Sequence, residues 1–311
     1  MKKIINLFLL GVLVTGLSSC LKDKSLTLPD ADGAIKNIVE FQNVDYISSG
    51  TSSIYPVYIK SFDIKPTGEL TIAVNYAGVD AAPENIAVKV ALDLTIIDKY
   101  NAKIVADARA AAIILGEDPD DAEDNVQGEL FTPLSTALYT LPSMDLTIPA
   151  GQRTASFKIA LKPDLFSFSL KTALSFKIVS SSTGTVSGNF GNIIVGIGAK
   201  NAYDGVFKYQ SSSTQTLRPN ANDTGSNAAE LVTSGPNTVT TPLVNYYTAP
   251  GNLLTYQIDP ATNKVTVLNG GIGTPITDPS SNWNPTTKVL FAKWTAGSRK
   301  FEETYTYIGS R

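Results

Sequence analysis

Gly68-Glu69-Leu70-Thr71-Ile72-Ala73-Val74-Asn75-Tyr76 alternates between large apolar side chains and smaller or polar ones. A β-strand turns successive side chains to opposite faces. Leu70, Ile72, Val74 and Tyr76 therefore share one face and predict a half-buried strand, opened by the turn residues Pro66-Thr67-Gly68. The same signal recurs on either side. It begins at Ile38-Val39-Glu40-Phe41, and residues 54–62 set Ile54, Pro56, Tyr58 and Lys60 against Tyr55, Val57, Ile59 and Ser61. Residues 85–92 turn Ile86, Val88, Val90 and Leu92 inward. Residues 146–148, 155–161, 174–179 and 192–197 complete the set, with turn signals at Pro149-Ala150-Gly151 and Ser182-Thr183-Gly184. Short strands at regular spacing predict an all-β chain whose residues 37–200 form a β-sandwich.

One segment breaks the period. Across residues 94–115, Ile97, Tyr100, Ile104, Ala108, Ala111 and Leu115 fall near helical spacing, which predicts one or two helices ending at Gly116. A strongly acidic loop is expected over residues 117–124, and the whole insert spans roughly 94–135. A second β-domain, a small antiparallel sandwich or barrel, is expected over residues 201–311, opening at Tyr203-Asp204-Gly205-Val206-Phe207. Residues 211–242 are rich in Ser, Thr and Asn and read as long loops with little core. Hairpins are expected at 253–268, around Asp259-Pro260-Ala261-Thr262-Asn263, and at 287–308, around Ala296-Gly297-Ser298.

The chain begins with Lys2 and Lys3, an apolar run over residues 4–17, and then Ser18-Ser19-Cys20. A basic n-region, an h-region and a small-residue cleavage site make residues 1–19 a signal peptide. A cysteine directly after that site resembles a bacterial lipobox, which implies acylation of Cys20 and a lipid anchor in the membrane. Residues 20–36 then read as a tether. Cys20 is the only cysteine, so no intrachain disulfide is available. Of the 25 basic residues, Lys2 and Lys3 fall in the leader; 23 remain against 28 acidic residues, a formal charge of −5. That balance argues against nucleic acid as a partner. The chain has no histidine, which removes the commonest general base and the histidine-dependent triads and zinc sites. No cofactor and no metal are expected.

Several motifs, in order and spacing, resemble a family of Bacteroidetes lipoproteins encoded beside polysaccharide-utilisation genes. They are Val88-Lys89-Val90-Ala91-Leu92-Asp93, Ile97-Asp98-Lys99-Tyr100-Asn101, Tyr139-Thr140-Leu141-Pro142, Leu146-Thr147-Ile148-Pro149-Ala150-Gly151 and Ala173-Leu174-Ser175-Phe176-Lys177-Ile178. The resemblance implies an N-terminal β-sandwich of the type also found ahead of some family-18 glycoside hydrolases. Tyr203-Asp204-Gly205, Trp283-Asn284-Pro285 and Glu302-Glu303-Thr304-Tyr305 resemble the small β-domain that often follows it. Residues 102–135 are longer than the family's usual link. Leu21-Lys22-Asp23-Lys24 is of mixed charge where such lipoproteins often carry an acidic export stretch.

Candidate sites follow from side-chain chemistry. Asp118-Pro119-Asp120-Asp121-Ala122-Glu123-Asp124 superficially resembles the acidic pattern of family-18 hydrolases. The register fails: Glu123 and Asn125 stand where an Asp and the Glu belong. Clustered carboxylates suit calcium better, but the EF-hand spacing is missing, and a solvated loop is expected. Sugar rings present apolar C–H faces that stack on flat side chains. The glycan-binding candidates are therefore Trp283 with its flanking Asn282 and Asn284, and the pair Tyr246 and Tyr247, one of whose rings is expected to be exposed. Trp294, on a strand with Leu290 and Ala292, is expected in the core. The expected function is a non-enzymatic, outer-membrane lipoprotein that binds a glycan ligand. The alternative is an adhesin or structural lipoprotein docking onto an outer-membrane transporter or a host surface.

Overall fold

The computed structural model describes residues 37–311; the signal peptide, Cys20 and the tether lie outside the described residues. The first unit holds strands β1 (Ile38–Phe41), β2 (Val57–Asp63), β3 (Gly68–Ala77), β4 (Ile86–Leu92), β5 (Thr132–Pro133), β6 (Tyr139–Thr140), β7 (Asp145–Ile148), β8 (Thr154–Leu161), β9 (Thr172–Ser181), β10 (Thr185–Val186) and β11 (Asn192–Lys200). One sheet runs β10-β1-β3-β8-β6 and the other β2-β11-β9-β4-β7, with β5 added alongside β9. Leu70, Ile72, Val74 and Tyr76 of β3 are all buried, as the alternation requires. They meet Ile86, Val88 and Val90 of β4 and Leu174, Phe176 and Ile178 of β9 in one core. Phe157 and Phe176 pack edge to face across it, with ring centroids 5.8 Å apart.

The second sheet is covered on its outer side as well. Helix α1 (Thr95–Leu115) buries Ile96 and Ile97 against Val57, Ala173 and Ile194. This explains why β11 reads Ile193-Ile194-Val195 without alternation: a strand buried on both faces has no polar side. The α1 motif residues hold the insert at its base. Asn101 exchanges two hydrogen bonds with the Phe131 backbone, at 2.8 and 3.0 Å, and Tyr100 packs on the Phe131 ring. Gly116 ends the helix in the left-handed conformation, φ 74°.

Two expectations for the insert are corrected. Residues 117–124 form no loop; α2 (Pro119–Val126) occupies most of them. Asp118 caps it by accepting the Asp120 N–H, Pro119 takes the first turn, and acidic residues follow at the positive end of the helix dipole. Arg109 of α1 clamps α2 through Asp120 and Glu123, at 2.7 and 2.8 Å. The inward helical stripe also fails at its far end. Ala112 is buried, while Ala111 and Leu115 are exposed, because α2 covers a different side of the last turns.

The second unit is a barrel of β12 (Gly205–Ser211), β13 (Asn222–Asp223), β14 (Ala229–Gly235), β15 (Thr238–Pro242), β16 (Leu253–Ile258), β17 (Val265–Asn269), β18 (Pro275–Thr277), β19 (Asn282–Asn284), β20 (Val289–Ala296) and β21 (Arg299–Gly309). Each long strand pairs antiparallel with its neighbour in sequence, and β21 returns to pair with β12. The remaining seam is closed by a bridge between Lys264 and Asn282 and by the Trp283 N–H donating to the Asn263 carbonyl at 2.8 Å. Among the described residues this seam brings the two end strands of the sheet together and covers most of their free edges. Residues 211–242 are therefore not all loop. Ala229, Leu231 and Val239 are buried in the interior, and the β14–β15 turn is Gly235-Pro236-Asn237.

Tyr203-Asp204-Gly205 sets the entry to the barrel. Tyr203 packs edge to face on Trp283 at 5.4 Å. Asp204 accepts from the Thr233 N–H and hydroxyl at 2.7 and 2.8 Å, and pairs with Arg311. Gly205 lies where a Cβ would fall 2.5 Å from the Tyr307 ring. Asn201 donates to the carbonyls of Gly235 and Thr238, so the 235–238 turn lies at the linker end of the barrel. By strand polarity, the β12–β14, β15–β16, β17–β18 and β20–β21 connections gather at the opposite, distal end.

Candidate functional site

The distal end carries an aromatic platform. After β15 the chain makes a tight turn in which the Tyr246 N–H donates to the Leu243 carbonyl at 3.1 Å. The two central residues, Val244 and Asn245, have φ 49° and 50°. A β-branched valine in the left-handed region is strained, and it persists here because its side chain is fully buried in the barrel. The turn projects Tyr246 and Tyr247, which are 65% and 38% exposed. The two rings stand edge to face, 5.1 Å apart at 88°. The sequence reading, which expected one exposed ring, is corrected: the pair sits on a turn, and both rings reach solvent.

Arg218 holds this turn. Its guanidinium grips both oxygens of Asp223 at 2.9 Å and donates to the carbonyls of Val244 and Asn245. It also lies over the Tyr246 ring, 5.5 Å from the centroid, and over the Tyr209 ring, at 5.9 Å. Asn245 donates to Asp223 and to the Asn227 carbonyl. Burial alone would raise the Asp223 carboxyl. The hydrogen bonds from Arg218 and Asn245 and the Arg218 charge outweigh it and hold the group below the usual carboxylate range. Sequence reading did not find Arg218, Asp223 or Asn245; the first two lie in the stretch 211–242 that was read as long loops.

Beneath the platform the barrel buries a carboxylate. Glu303 lies on the inward face of β21 between Phe301 and Tyr305, and is completely buried. It accepts hydrogen bonds from the Tyr209 hydroxyl (3.0 Å), the Tyr256 hydroxyl (2.8 Å) and the Trp294 indole (3.0 Å). With the Tyr256 proton committed to Glu303, the Tyr305 hydroxyl donates to Tyr256 at 3.3 Å. Gln215 donates to Tyr209 and to the Leu217 carbonyl, and accepts from the Glu302 N–H. Burial pushes the Glu303 carboxyl up, and the three donors offset part of that rise. The parity of Phe301, Glu303 and Tyr305 was the available signal for this group.

Trp283 is corrected. It lies on β19 opposite Leu290, is 5% exposed, and packs against Tyr203 and Phe207. Its ring is core and has no free face for a sugar. Asn282 and Asn284 point outward, but Asn282 donates to the Ser280 carbonyl and Asn284 accepts from the Thr286 and Thr287 amides. The structure therefore separates the two candidate groups. Trp294 is buried as expected. Among the described residues, no cluster of three or more His, Cys, Asp or Glu is arranged to hold a metal ion, and no helix is long and apolar enough to cross a membrane.

Residues 41–185 match a family model described as an N-terminal domain. Residues 205–309 match the domain of unknown function DUF7015. Over residues 41–185 the chain carries the N-terminal domain of the family that its motifs resemble. That family's N-terminal domain is the β-sandwich described above, and its C-terminal companion here is the barrel. Among solved structures, a Bacteroides ovatus protein of unknown function shares 12% identity, with 87% of this chain and 93% of that chain covered, at a TM-score of 0.48. An auxiliary nutrient binding protein of Bacteroides thetaiotaomicron shares 13% identity over 85% and 93% of the two chains, at 0.40. EndoBT-3987 of the same organism shares 14% identity over 49% of this chain and 30% of its own, at 0.33. A search of curated proteins finds no match.

Proposed function

We propose that this protein is a non-catalytic lipoprotein that binds glycans as an accessory to polysaccharide or glycoprotein-glycan capture. The anchor is Cys20, and the site of action is the outer membrane, facing the cell surface. The observation that carries the reading is the exposed Tyr246–Tyr247 pair, set on a strained turn and braced by Arg218, Asp223 and Asn245. Two rings at right angles offer large apolar area at small entropic cost, and each carries a hydroxyl that can hydrogen-bond a sugar. The mouth of a barrel is a common place for such sites. The test is glycan-array and calorimetric binding by the mature chain, beside Tyr246→Ala and Tyr247→Ala. Loss of binding in the folded variants is expected. Undiminished binding by both would remove the site from this platform, and no glycan bound by any form would overturn the reading.

The alternative, docking onto an outer-membrane transporter or host surface, is favoured by one feature. Ile113, Ile114 and Leu115 lie 67%, 84% and 71% exposed at the tip of the α1–α2 hairpin. Apolar side chains grouped at a projecting tip suit a protein contact. A transporter that co-purifies with the wild type and is lost with Ile114→Ser would favour it; equal recovery would not.

A further inference from the structure

A second feature lies on the barrel wall near the distal end. A groove of about 560 Å³ runs over the outer face of the β20–β21 ladder. Thr214 and Gln215 wall one side; residues 276–279 wall the other. The register fixes what faces outward. Ile276 pairs with Thr295, and Thr295 with Lys300, which makes a row of apolar, hydroxyl and cationic groups. The next row is Asp278, Lys293 and Glu302, in which Lys293 pairs with Glu302 across the strands at 3.3 Å.

The two rows differ in what they leave uncommitted. Lys293 lies between two carboxylates. Lys300 has neutral neighbours in its row and makes no ion pair among the described residues. Backbone groups along the groove are already used. The carbonyls of Lys300 and Glu302 accept from Thr216 and Ser212, and the Lys293 carbonyl accepts from Asp278. A strand-like peptide would find no ladder to extend, so recognition falls to the side chains. Ile276, 70% exposed, and Lys300 lie two strands apart, about 10 Å. That span suits more than one sugar unit, with an apolar ring face on Ile276 and an anionic substituent on Lys300.

We propose that this groove binds a short oligosaccharide bearing a carboxylate or a sulfate, with Lys300 as its anion partner and Ile276 under a ring. The inference rests on the reading of the barrel as a glycan-binding domain, and adds a second subsite and the ligand's charge.

The test uses the mature chain with Cys20→Ala, titrated calorimetrically with an oligogalacturonide, a chondroitin sulfate oligosaccharide and a neutral manno-oligosaccharide. Lys300→Ala, Lys300→Arg, Ile276→Ser and Tyr246→Ala are measured in parallel. Binding of at least one acidic sugar is expected, weakening as salt is raised. Lys300→Ala should cost about tenfold, the scale of one charge-assisted hydrogen bond, and Lys300→Arg should restore most of it. Ile276→Ser should weaken binding without changing the salt dependence, and the acidic sugar binding that remains in Tyr246→Ala should keep its dependence on salt and on Lys300. Which acidic sugar binds distinguishes a carboxylate from a sulfate. Acidic sugar bound equally by wild type and Lys300→Ala overturns the groove. A neutral sugar bound through Tyr246 alone overturns the groove and leaves the tyrosine platform standing. No sugar bound by any form overturns both.

Discussion

Arg218 and Asp223 meet through two parallel hydrogen bonds of 2.9 Å, and this pair fixes the turn that displays Tyr246 and Tyr247. The geometry is the bidentate one that only a guanidinium provides, so lysine cannot substitute for it. Arg218→Lys should keep the charge yet release the Val244 and Asn245 carbonyls, at a cost of about 2 kcal/mol. Chemical denaturation measures the loss. Line broadening of the Tyr246 ring signals would report the loosened turn.

The same pair sets an acid limit. Asp223 is held below the usual carboxylate range, so its contribution is present above the unfolded value of about 3.9. It is lost as pH falls through the lower, folded value. Glycan affinity measured downward in pH should therefore persist to below about pH 4 and then fall. Asp223→Asn should show weak affinity throughout that range, with no acid step.

Glu303 has the opposite sign. Burial raises its folded pKa, so between the unfolded and the folded value the folded state keeps a proton that the unfolded chain releases. Its contribution is fullest below the unfolded carboxylate value and declines as pH rises through the folded one. Denaturation series for wild type and Glu303→Gln, compared from about pH 4 upward, should diverge in slope across that window. Glu303→Ala strands the Tyr209, Tyr256 and Trp294 donors and should cost on the order of 3 kcal/mol.

Trp283 and Tyr246 should separate cleanly. Trp283→Ala empties a packed core site and should lose about 3–5 kcal/mol. Tyr246→Ala removes an exposed ring and should change stability by no more than about 0.5 kcal/mol. Thermal melts beside glycan titrations distinguish a residue that holds the barrel from one that serves the ligand.

Thr241 offers a gain. Its hydroxyl is buried in the barrel and finds no partner among the described residues. Thr241→Val keeps the shape and removes the orphan, which should add about 1 kcal/mol and raise the melting temperature.

Periodicity made the sandwich legible. Leu70, Ile72, Val74 and Tyr76 needed only the two-residue repeat, and Gly116 marked the end of α1. Patterns that answer to several elements at once were harder. Ala111 and Leu115 continue the helical stripe, but α2 decides which side of the last turns is covered. Asp118-Pro119, a cap followed by a first-turn proline, could have revealed α2; acidity alone suggested solvent. The short barrel strands β14 and β15 hide among threonines, because only a few alternate positions, Ala229, Leu231 and Val239, supply their apolar inward face. Trp283 has polar sequence neighbours on both sides, but on a strand its neighbours face the other way. The platform was out of reach, since Arg218, Asp223 and Asn245 meet only after the β12–β14 and β15–β16 connections fold together.

The Asp204–Arg311 pair, at 3.3 Å, joins the two ends of the barrel at one point. A unit whose entrance and exit coincide can be cut and rejoined without disturbing its strands. Those two points could be linked and new ends opened at the Gly297-Ser298 turn, preserving the order of strand pairing. The same economy lets such a barrel be spliced behind different leading domains as a cassette, carrying its distal surface with it.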